Sequence, residues 1–135
     1  MTLKTYQGSC HCKAVRFEAQ IDLAAGTGRC NCSYCSKIRA WGVNIKPDAF
    51  RLIAGEEVLS DYQFGTKSGH HRFCRHCGIK MYSRADVAEL GGALVSIALA
   101  CLDDATPAEL LEGPLQFANG RDNAWWDTPA ETRHM

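Results

Sequence analysis

Eight cysteines are the residues of this 135-residue chain whose type and spacing point most directly to chemistry. They form a CxC pair, a CxCxxC triplet, a CxxC pair and one separate residue, in the order Cys10 and Cys12; Cys30, Cys32 and Cys35; Cys74 and Cys77; and Cys101. Thiolates two or three residues apart on a tight turn can point at one ion, and zinc prefers four tetrahedral ligands. A disulfide within a CxC pair would be strained, so oxidation explains the spacing poorly. The spacing therefore predicts zinc sites.

The rest of the composition favours a globular, cytoplasmic protein. Hydrophobic residues make up 46% of the chain and charged residues 22%, and fifteen basic residues balance fifteen acidic ones. This balance predicts neither nucleic acid nor an anionic membrane as a partner. The first residues carry no apolar signal segment, and the longest apolar stretch, Ala93 to Leu102, is far shorter than the roughly 20 residues of a membrane helix. In a reducing cytoplasm, clustered cysteines bind metal or catalyse more often than they form disulfides.

Short segments of alternating or apolar residues, separated by glycine-rich turns, predict one mainly-β domain over residues 1–135. Strands are predicted over Val15–Ile21, Trp41–Ile45, Phe50–Ala54, Val58–Phe64, His70–Cys74, Ile79–Ser83 and Leu94–Leu99. Short helices are predicted after Cys35 and over Arg84–Leu90. Because two predicted strands flank the CxxC pair, that pair should form a hairpin tip. Gly78, which follows it, should take the positive φ that glycine allows.

Seven clustered thiols suit one four-cysteine site and one three-cysteine site. The two isolated pairs, Cys10/Cys12 and Cys74/Cys77, can complete a closed tetrahedron. Such a site is structural, because it ties distant segments together and contributes folding energy. Three ligands from one loop would instead leave a fourth position for water or substrate, as in catalytic zinc sites.

The spacing leaves alternatives open for the triplet. It permits the triplet to pair with a CxxC or to recruit a neighbouring histidine, and the candidates are His11, His70, His71 and His76. Histidines beside a metal loop more often lie at the surface or behind the ligands. Cys101 follows an apolar strand and is interpreted as a small buried residue. Three aromatic residues can contact a ligand or simply pack: Tyr34, Trp125 and Trp126.

Three segments of the chain, each containing some of the clustered cysteines, resemble the glutathione-dependent formaldehyde-activating enzyme family, which includes the centromere protein V domain. They are GSCHCKAVRFE at Gly8–Glu18, CNCSYCSK at Cys30–Lys37 and FGTKSGHHRFCRHCG at Phe64–Gly78. Weaker matches are ALVSIALACLDD at Ala93–Asp104 and RDNAWWD at Arg121–Asp127. The chain departs from the family at Lys13, where a glycine is common, and at Cys101, which often is also a glycine.

The resemblance implies packed, largely antiparallel sheets with zinc knuckles, a fold shared with B-type methionine sulfoxide reductases. It also implies a structural zinc on Cys10, Cys12, Cys74 and Cys77, and a second, catalytic zinc on Cys30, Cys32 and Cys35. The second ion is expected to be held less tightly.

The implied activity is that of a carbon–sulfur lyase acting on a glutathione adduct of formaldehyde or a related small aldehyde, as in S-hydroxymethylglutathione synthesis. Glutathione would be the small-molecule partner, and no catalytic side chain is predicted beyond the open zinc site. Two other hypotheses remain: a non-catalytic, zinc-stabilised binding module, and a thiol-redox protein.

Overall fold

The computed structural model describes residues 3–135, and strands dominate them. In chain order the strands are β1 (Lys4–Ser9), β2 (Arg16–Ile21), β3 (Thr27–Cys30), β4 (Trp41–Ile45), β5 (Phe50–Ala54), β6 (Leu59–Tyr62), β7 (His70–Cys74), β8 (Lys80–Val87), β9 (Gly92–Ala98) and β10 (Leu115–Ala118). Two short helices accompany them, α1 (Ser33–Ile38) and α2 (Pro107–Leu110). No helix of the described residues has the length and apolar character to cross a membrane.

The strands form two sheets. A three-stranded sheet has the order β1-β2-β5, and a seven-stranded sheet has the order β10-β3-β4-β9-β8-β7-β6. Strand β10 runs parallel to β3, whereas the other pairings are antiparallel. The predicted fold class, mainly β with largely antiparallel sheets, is confirmed.

The core lies where the two sheets meet. In β2, Phe17, Ala19 and Ile21 are buried and alternate with more exposed residues, as expected of a strand with one face on the core. The Phe50 ring lies 5.6 Å from that of Phe17 and 4.5 Å from that of Tyr82 in the larger sheet. A Cβ at Gly8 would clash with the Phe17 ring, so β1 can approach β2 this closely only with glycine there. This aromatic packing joins the sheets.

Most of the predicted strands are confirmed. Strands β4, β5 and β7 match their predicted bounds, whereas β6 is shorter than predicted. The helix predicted over Arg84–Leu90 is wrong. Strand β8 continues to Val87 because it pairs with β9 as far as Gly92, and only Ala88–Leu90 forms a single 3-10 turn.

The elements that sequence patterning missed are β1, β3, β10 and α2. Elements β3, β10 and α2 have four residues each, mostly half-buried or exposed, and two of the three buried residues of β1, Gly8 and Ser9, are not hydrophobic. These elements therefore carry little hydrophobic periodicity. Helix α2 begins with a capping box, in which Thr106 and Glu109 bond each other's backbone N–H groups. The sheets hold β3 and β10 by backbone pairing, which the sequence pattern does not show.

Candidate metal centres

Four cysteines from distant parts of the chain form one cluster. The sulfur atoms of Cys10, Cys12, Cys74 and Cys77 all lie within 4.8 Å of one another. The Cys10 and Cys12 sulfurs are 3.6 Å apart, and those of Cys12 and Cys74 are 3.7 Å apart. Four sulfurs at about 2.3 Å from one tetrahedral zinc ion would be about 3.8 Å apart. The donor set and its spacing therefore fit zinc.

Two tight turns carry these four cysteines. In the first turn, the Lys13 N–H donates to the Cys10 carbonyl at 3.1 Å, and Lys13 takes a φ of 68°. In the second, the Gly78 N–H donates to the Cys74 carbonyl at 2.8 Å, and Gly78 takes a φ of 76°. The prediction of a positive φ at Gly78 is confirmed, and the CxxC pair lies at the tip of the β7–β8 hairpin as predicted.

The four-cysteine cluster joins the two sheets. Cys10 directly follows β1 of the smaller sheet, and Cys74 ends β7 of the larger one. Both are buried, with 1% and 0% of their surface exposed. The Val15 N–H donates to the Cys10 sulfur at 3.4 Å. A metal ion held by these four cysteines would link the smaller sheet to the larger one.

The triplet forms a second cluster at the end of β3 and the start of α1. The sulfurs of Cys30, Cys32 and Cys35 lie within 4.8 Å of one another, and all three residues are half-buried. The Cys32 N–H donates to the Cys30 sulfur, and the Cys35 N–H donates to the Cys32 sulfur, each at 3.3 Å. These backbone donors hold the loop in a conformation that points three sulfurs at one position.

The three thiols of the triplet differ in acidity because they lie so close together. Hydrogen bonds from Cys30 and Cys35 lower the pKa of Cys32, so Cys32 carries a negative charge readily. The same contacts with Cys30 and Cys32 raise the pKa of Cys35, and the contact with Cys32 raises that of Cys30. A divalent cation removes this competition, since coordinated thiols are deprotonated outright. Three soft sulfur donors on one loop fit zinc.

The triplet has neither a cysteine nor a histidine as fourth ligand in the part of the chain that the structure describes. Of the histidines considered, His70 contacts Asp61 at 2.8 Å, and His71 contacts the Ser83 hydroxyl at 2.8 Å. His11 and His76 are exposed and belong to neither metal cluster. The triplet also does not pair with the CxxC turn, so the arrangement is four thiols in one cluster and three in the other.

A buried asparagine within the triplet fixes this loop to the C-terminal segment. Asn31 donates to the Asn119 side chain at 3.0 Å and accepts from the Arg121 N–H at 3.0 Å. The Arg121 guanidinium donates to the Asn31 carbonyl at 3.2 Å and to the Ser36 hydroxyl at 3.2 Å. Sequence reasoning missed this network. The sequence feature that points to it is a polar residue, Asn31, between two cysteines of the triplet. The partners of Asn31 lie up to 90 positions away.

Aromatic rings line two sides of the triplet. Tyr34 packs with His71 at 4.2 Å and Phe64 at 5.5 Å between ring centroids, and Tyr62 completes this aromatic cluster. Burial raises the pKa of Tyr34 to about 12. Tyr34 therefore packs as an uncharged ring against the β6–β7 edge, the second of the two interpretations that its sequence position allowed.

On the other side of the triplet, Trp125 lies beside Gly120. A Cβ at Gly120 would come within 2.5 Å of the Trp125 ring and 2.9 Å of the Cys32 Cβ. Trp126 is 73% exposed, and both tryptophans line the same broad concave surface as Cys30 and Cys35. Trp125 therefore lies close to Cys32, with Gly120 between them, and the ring of Trp126 is exposed on the same concave surface.

A family model described as glutathione-dependent formaldehyde-activating enzyme matches residues 5–114 of the chain. This match spans the seven clustered cysteines and most of both sheets. The chain belongs to this family.

Two individual proteins are similar to this member of the glutathione-dependent formaldehyde-activating family. A Halomonas elongata protein named "Putative glutathione-dependent formaldehyde-activating enzyme" is 36% identical over 84 residues, covering 56% of this chain and 54% of the relative. The chain thus spans about half the length of that curated relative. A crystal structure of a Rhodobacter sphaeroides protein is 33% identical, with a TM-score of 0.68, covering 81% of this chain and 98% of that one.

Membership makes the two departures from the family pattern interpretable. At Lys13 a glycine would adopt the φ of 68° without the steric cost that a side chain meets there. The Lys13 ammonium instead contacts the Asp103 carboxylate at 3.4 Å. Cys101 is 7% exposed, and burial raises the pKa of its thiol to about 11, so the interpretation as a small buried residue is confirmed. The RDNAWWD segment lies beyond the residues that the family model matches.

Replacing Asn31 with alanine should weaken metal binding at the triplet without unfolding the protein. The substitution removes contacts that hold the loop, and loss of such supporting contacts typically costs 10–100-fold in metal affinity. Competitive titration with a chromophoric chelator measures this change. Asn44→Ala changes an exposed residue on β4 and is the matched control, which should leave the metal affinities of both cysteine clusters unchanged. Equal affinities in Asn31→Ala and the control would contradict a positioning role.

Proposed function

We propose that this protein is a zinc-dependent carbon–sulfur lyase that joins glutathione and formaldehyde, or a related small aldehyde, into an S-hydroxymethyl adduct. The observation that carries this proposal is the half-buried triplet, which has three sulfur donors and no fourth protein ligand among the described residues. Membership of the glutathione-dependent formaldehyde-activating family supports the choice of reactants. A zinc ion held by three thiolates supplies an open position and a positive charge that favours the thiolate form of an incoming thiol.

Different residues of the chain would hold the metal and position the loop. Cys30, Cys32 and Cys35 would hold the reactive zinc, with a net charge of minus one for three thiolates and one divalent ion. Asn31 and Arg121 fix the loop that presents them. Holding both reactants beside each other on this rigid loop supplies the orientation that a bimolecular reaction otherwise lacks.

The second cluster has a structural role in this proposal. Cys10, Cys12, Cys74 and Cys77 would hold a closed, tightly bound zinc that fastens the two sheets. The protein would then contain one to two zinc ions, with the four-thiolate site filled first. Residues 1–135 would act as one domain. We infer a reducing, cytoplasmic setting, because there both glutathione and the ligand thiols stay reduced.

The open position is tested by substituting cobalt for zinc and adding glutathione. Cobalt absorption depends on its sulfur ligands and geometry, so an entering thiol should change the spectrum of the triplet site. The four-thiolate site has no exchangeable position, and its spectrum should stay unchanged. Cys35→Ser should remove the response, whereas Cys101→Ala, which changes a buried thiol outside both clusters, should retain it. A cobalt absorption spectrum that does not change on addition of glutathione or of smaller thiols would favour a non-catalytic binding module.

A further inference from the structure

Lys80 is a half-buried cation beside the triplet that the sequence reasoning did not single out. It begins β8, three residues after the last ligand of the CxxC turn. Its side chain lines the same concave surface as Cys30 and Cys35. A thiolate at Cys35, such as metal binding would produce, would stabilise the Lys80 ammonium electrostatically, so Lys80 lies within electrostatic reach of the triplet. The first residue of β8 therefore places a positive charge on the concave surface that includes the triplet.

No carboxylate pairs with Lys80 within residues 3–135. The carboxylate ion pairs found there belong to Lys4, Lys13, Arg51, His70 and Arg133. Burial lowers the pKa of Lys80, as expected of an ammonium that has lost water without gaining a carboxylate partner. A half-buried cation in this position is complementary to an anion that enters from solution.

His71, the neighbouring titratable group on β7, does not compete for this role. Burial and then the Lys80 charge lower the pKa of His71, so its imidazole is neutral at pH 7. Its Nδ1 atom is engaged with Ser83 at 2.8 Å, and its ring packs on Tyr34 at 4.2 Å. Two arginines line the same concave surface but have other contacts: Arg29 lies over the Trp41 ring at 5.5 Å, and exposed Arg39 donates to the Met135 carbonyl at 3.1 Å. Lys80 is the cation on this surface that we consider further.

We propose that Lys80 donates a charge-assisted hydrogen bond to the aldehyde oxygen as it becomes an oxyanion, a role that rests on the proposed lyase function. The glutathione sulfur donates an electron pair to the aldehyde carbon and forms the C–S bond. The carbonyl π pair moves to the oxygen, which becomes an alkoxide. Solvent returns to this oxygen the proton that left the glutathione thiol, giving the S-hydroxymethyl adduct. Lys80 stabilises the alkoxide after the C–S bond forms and before the oxygen is protonated, when the negative charge on the oxygen is greatest.

The first experiment measures anion preference without turnover. Thioglycolate and 2-mercaptoethanol are small thiols of similar length, but only thioglycolate carries a negative oxygen near its sulfur. Their affinities for the cobalt-substituted triplet are read from the absorption change in wild type and in Lys80→Met. The wild-type preference for thioglycolate should fall about tenfold or more in Lys80→Met, as expected for loss of a charge-assisted hydrogen bond. The comparison of ratios cancels the intrinsic basicity of each thiol.

Matched variants separate this role from general charge effects. Lys37→Met removes an exposed cation from α1, next to the same cluster, and should leave the preference unchanged. Lys80→Arg keeps a donor and should retain part of the preference. A Lys80→Met protein with the wild-type ratio overturns the proposal. So does one that loses cobalt from the triplet, since Lys80 would then only balance the charge of the metal cluster.

The second experiment measures adduct formation by magnetisation-exchange NMR. Lys80→Met should lower kcat about 10²–10³-fold, the usual effect of removing an oxyanion donor, with KM for glutathione changed far less. An unchanged kcat in Lys80→Met overturns the role of Lys80 alone. Wild-type protein that shows the Lys80-dependent preference but does not accelerate adduct formation overturns the lyase function and supports Lys80 as an anion-binding residue.

Discussion

Serine in place of Cys74 is expected to leave the chain unfolded or insoluble, even when zinc is supplied. Cys74 is fully buried, and its cluster joins β1 of the smaller sheet to the β7–β8 hairpin of the larger one. In small zinc sites the apparent binding free energy, about 10–16 kcal/mol, is folding free energy. Whole domains are stabilised by only about 5–15 kcal/mol, so losing a ligand here removes most of the stability. Far-UV circular dichroism and gel filtration of the expressed protein measure the outcome.

Cys35→Ser is the matched control for this experiment, because it removes a thiol ligand from the other cluster. It should give a soluble, folded protein that has lost the triplet ion. Folded Cys74→Ser protein with an unchanged melting temperature would contradict the structural role of the four-cysteine cluster. Equal destabilisation by both variants would contradict the assignment of a structural role to one cluster and a catalytic role to the other.

Mild chelation should abolish catalysis before it affects the fold. An ion with three protein ligands and one exchangeable position is expected to leave before one enclosed by four thiolates. As the first ion is removed, the rate of adduct formation should fall to the uncatalysed rate, while the circular dichroism spectrum persists. Zinc content, adduct formation by NMR and circular dichroism, followed in one chelator titration, measure these three quantities together.

Re-addition of one equivalent of zinc should restore the rate, which controls for irreversible damage to the thiols. The same titration on Cys35→Ser should show a single, tight ion and no catalysis at any stage. Protein that retains its full rate after losing the weaker ion would contradict a catalytic role for the triplet. The thiol-redox hypothesis predicts instead that mild oxidation releases the ion and forms a defined disulfide, which mass spectrometry would detect.

The sequence predicted the local structure at the sites well because that structure depends on local geometry. Spacings such as CxC and CxxC determine which thiols can converge from one turn, and glycine after the CxxC pair indicates its φ. Alternating residues likewise predicted β2 and β4, since period two follows from the strand itself. The error at Arg84–Leu90 arose because pairing with β9, a tertiary contact, extends β8 through a segment with no clear strand pattern.

The sequence by itself determined that this chain is mainly β, that seven of its cysteines are spaced in groups that could hold metal, and that it resembles one enzyme family. Only the tertiary structure decided which groups combine, because cysteines such as Cys12 and Cys74 are 62 positions apart and spacing carries no information on their approach. Folding also placed Arg121 against Asn31 and half-buried Lys80 on the concave surface that includes Cys30 and Cys35. These contacts depend on burial and strand register, properties that arise when the two sheets pack together.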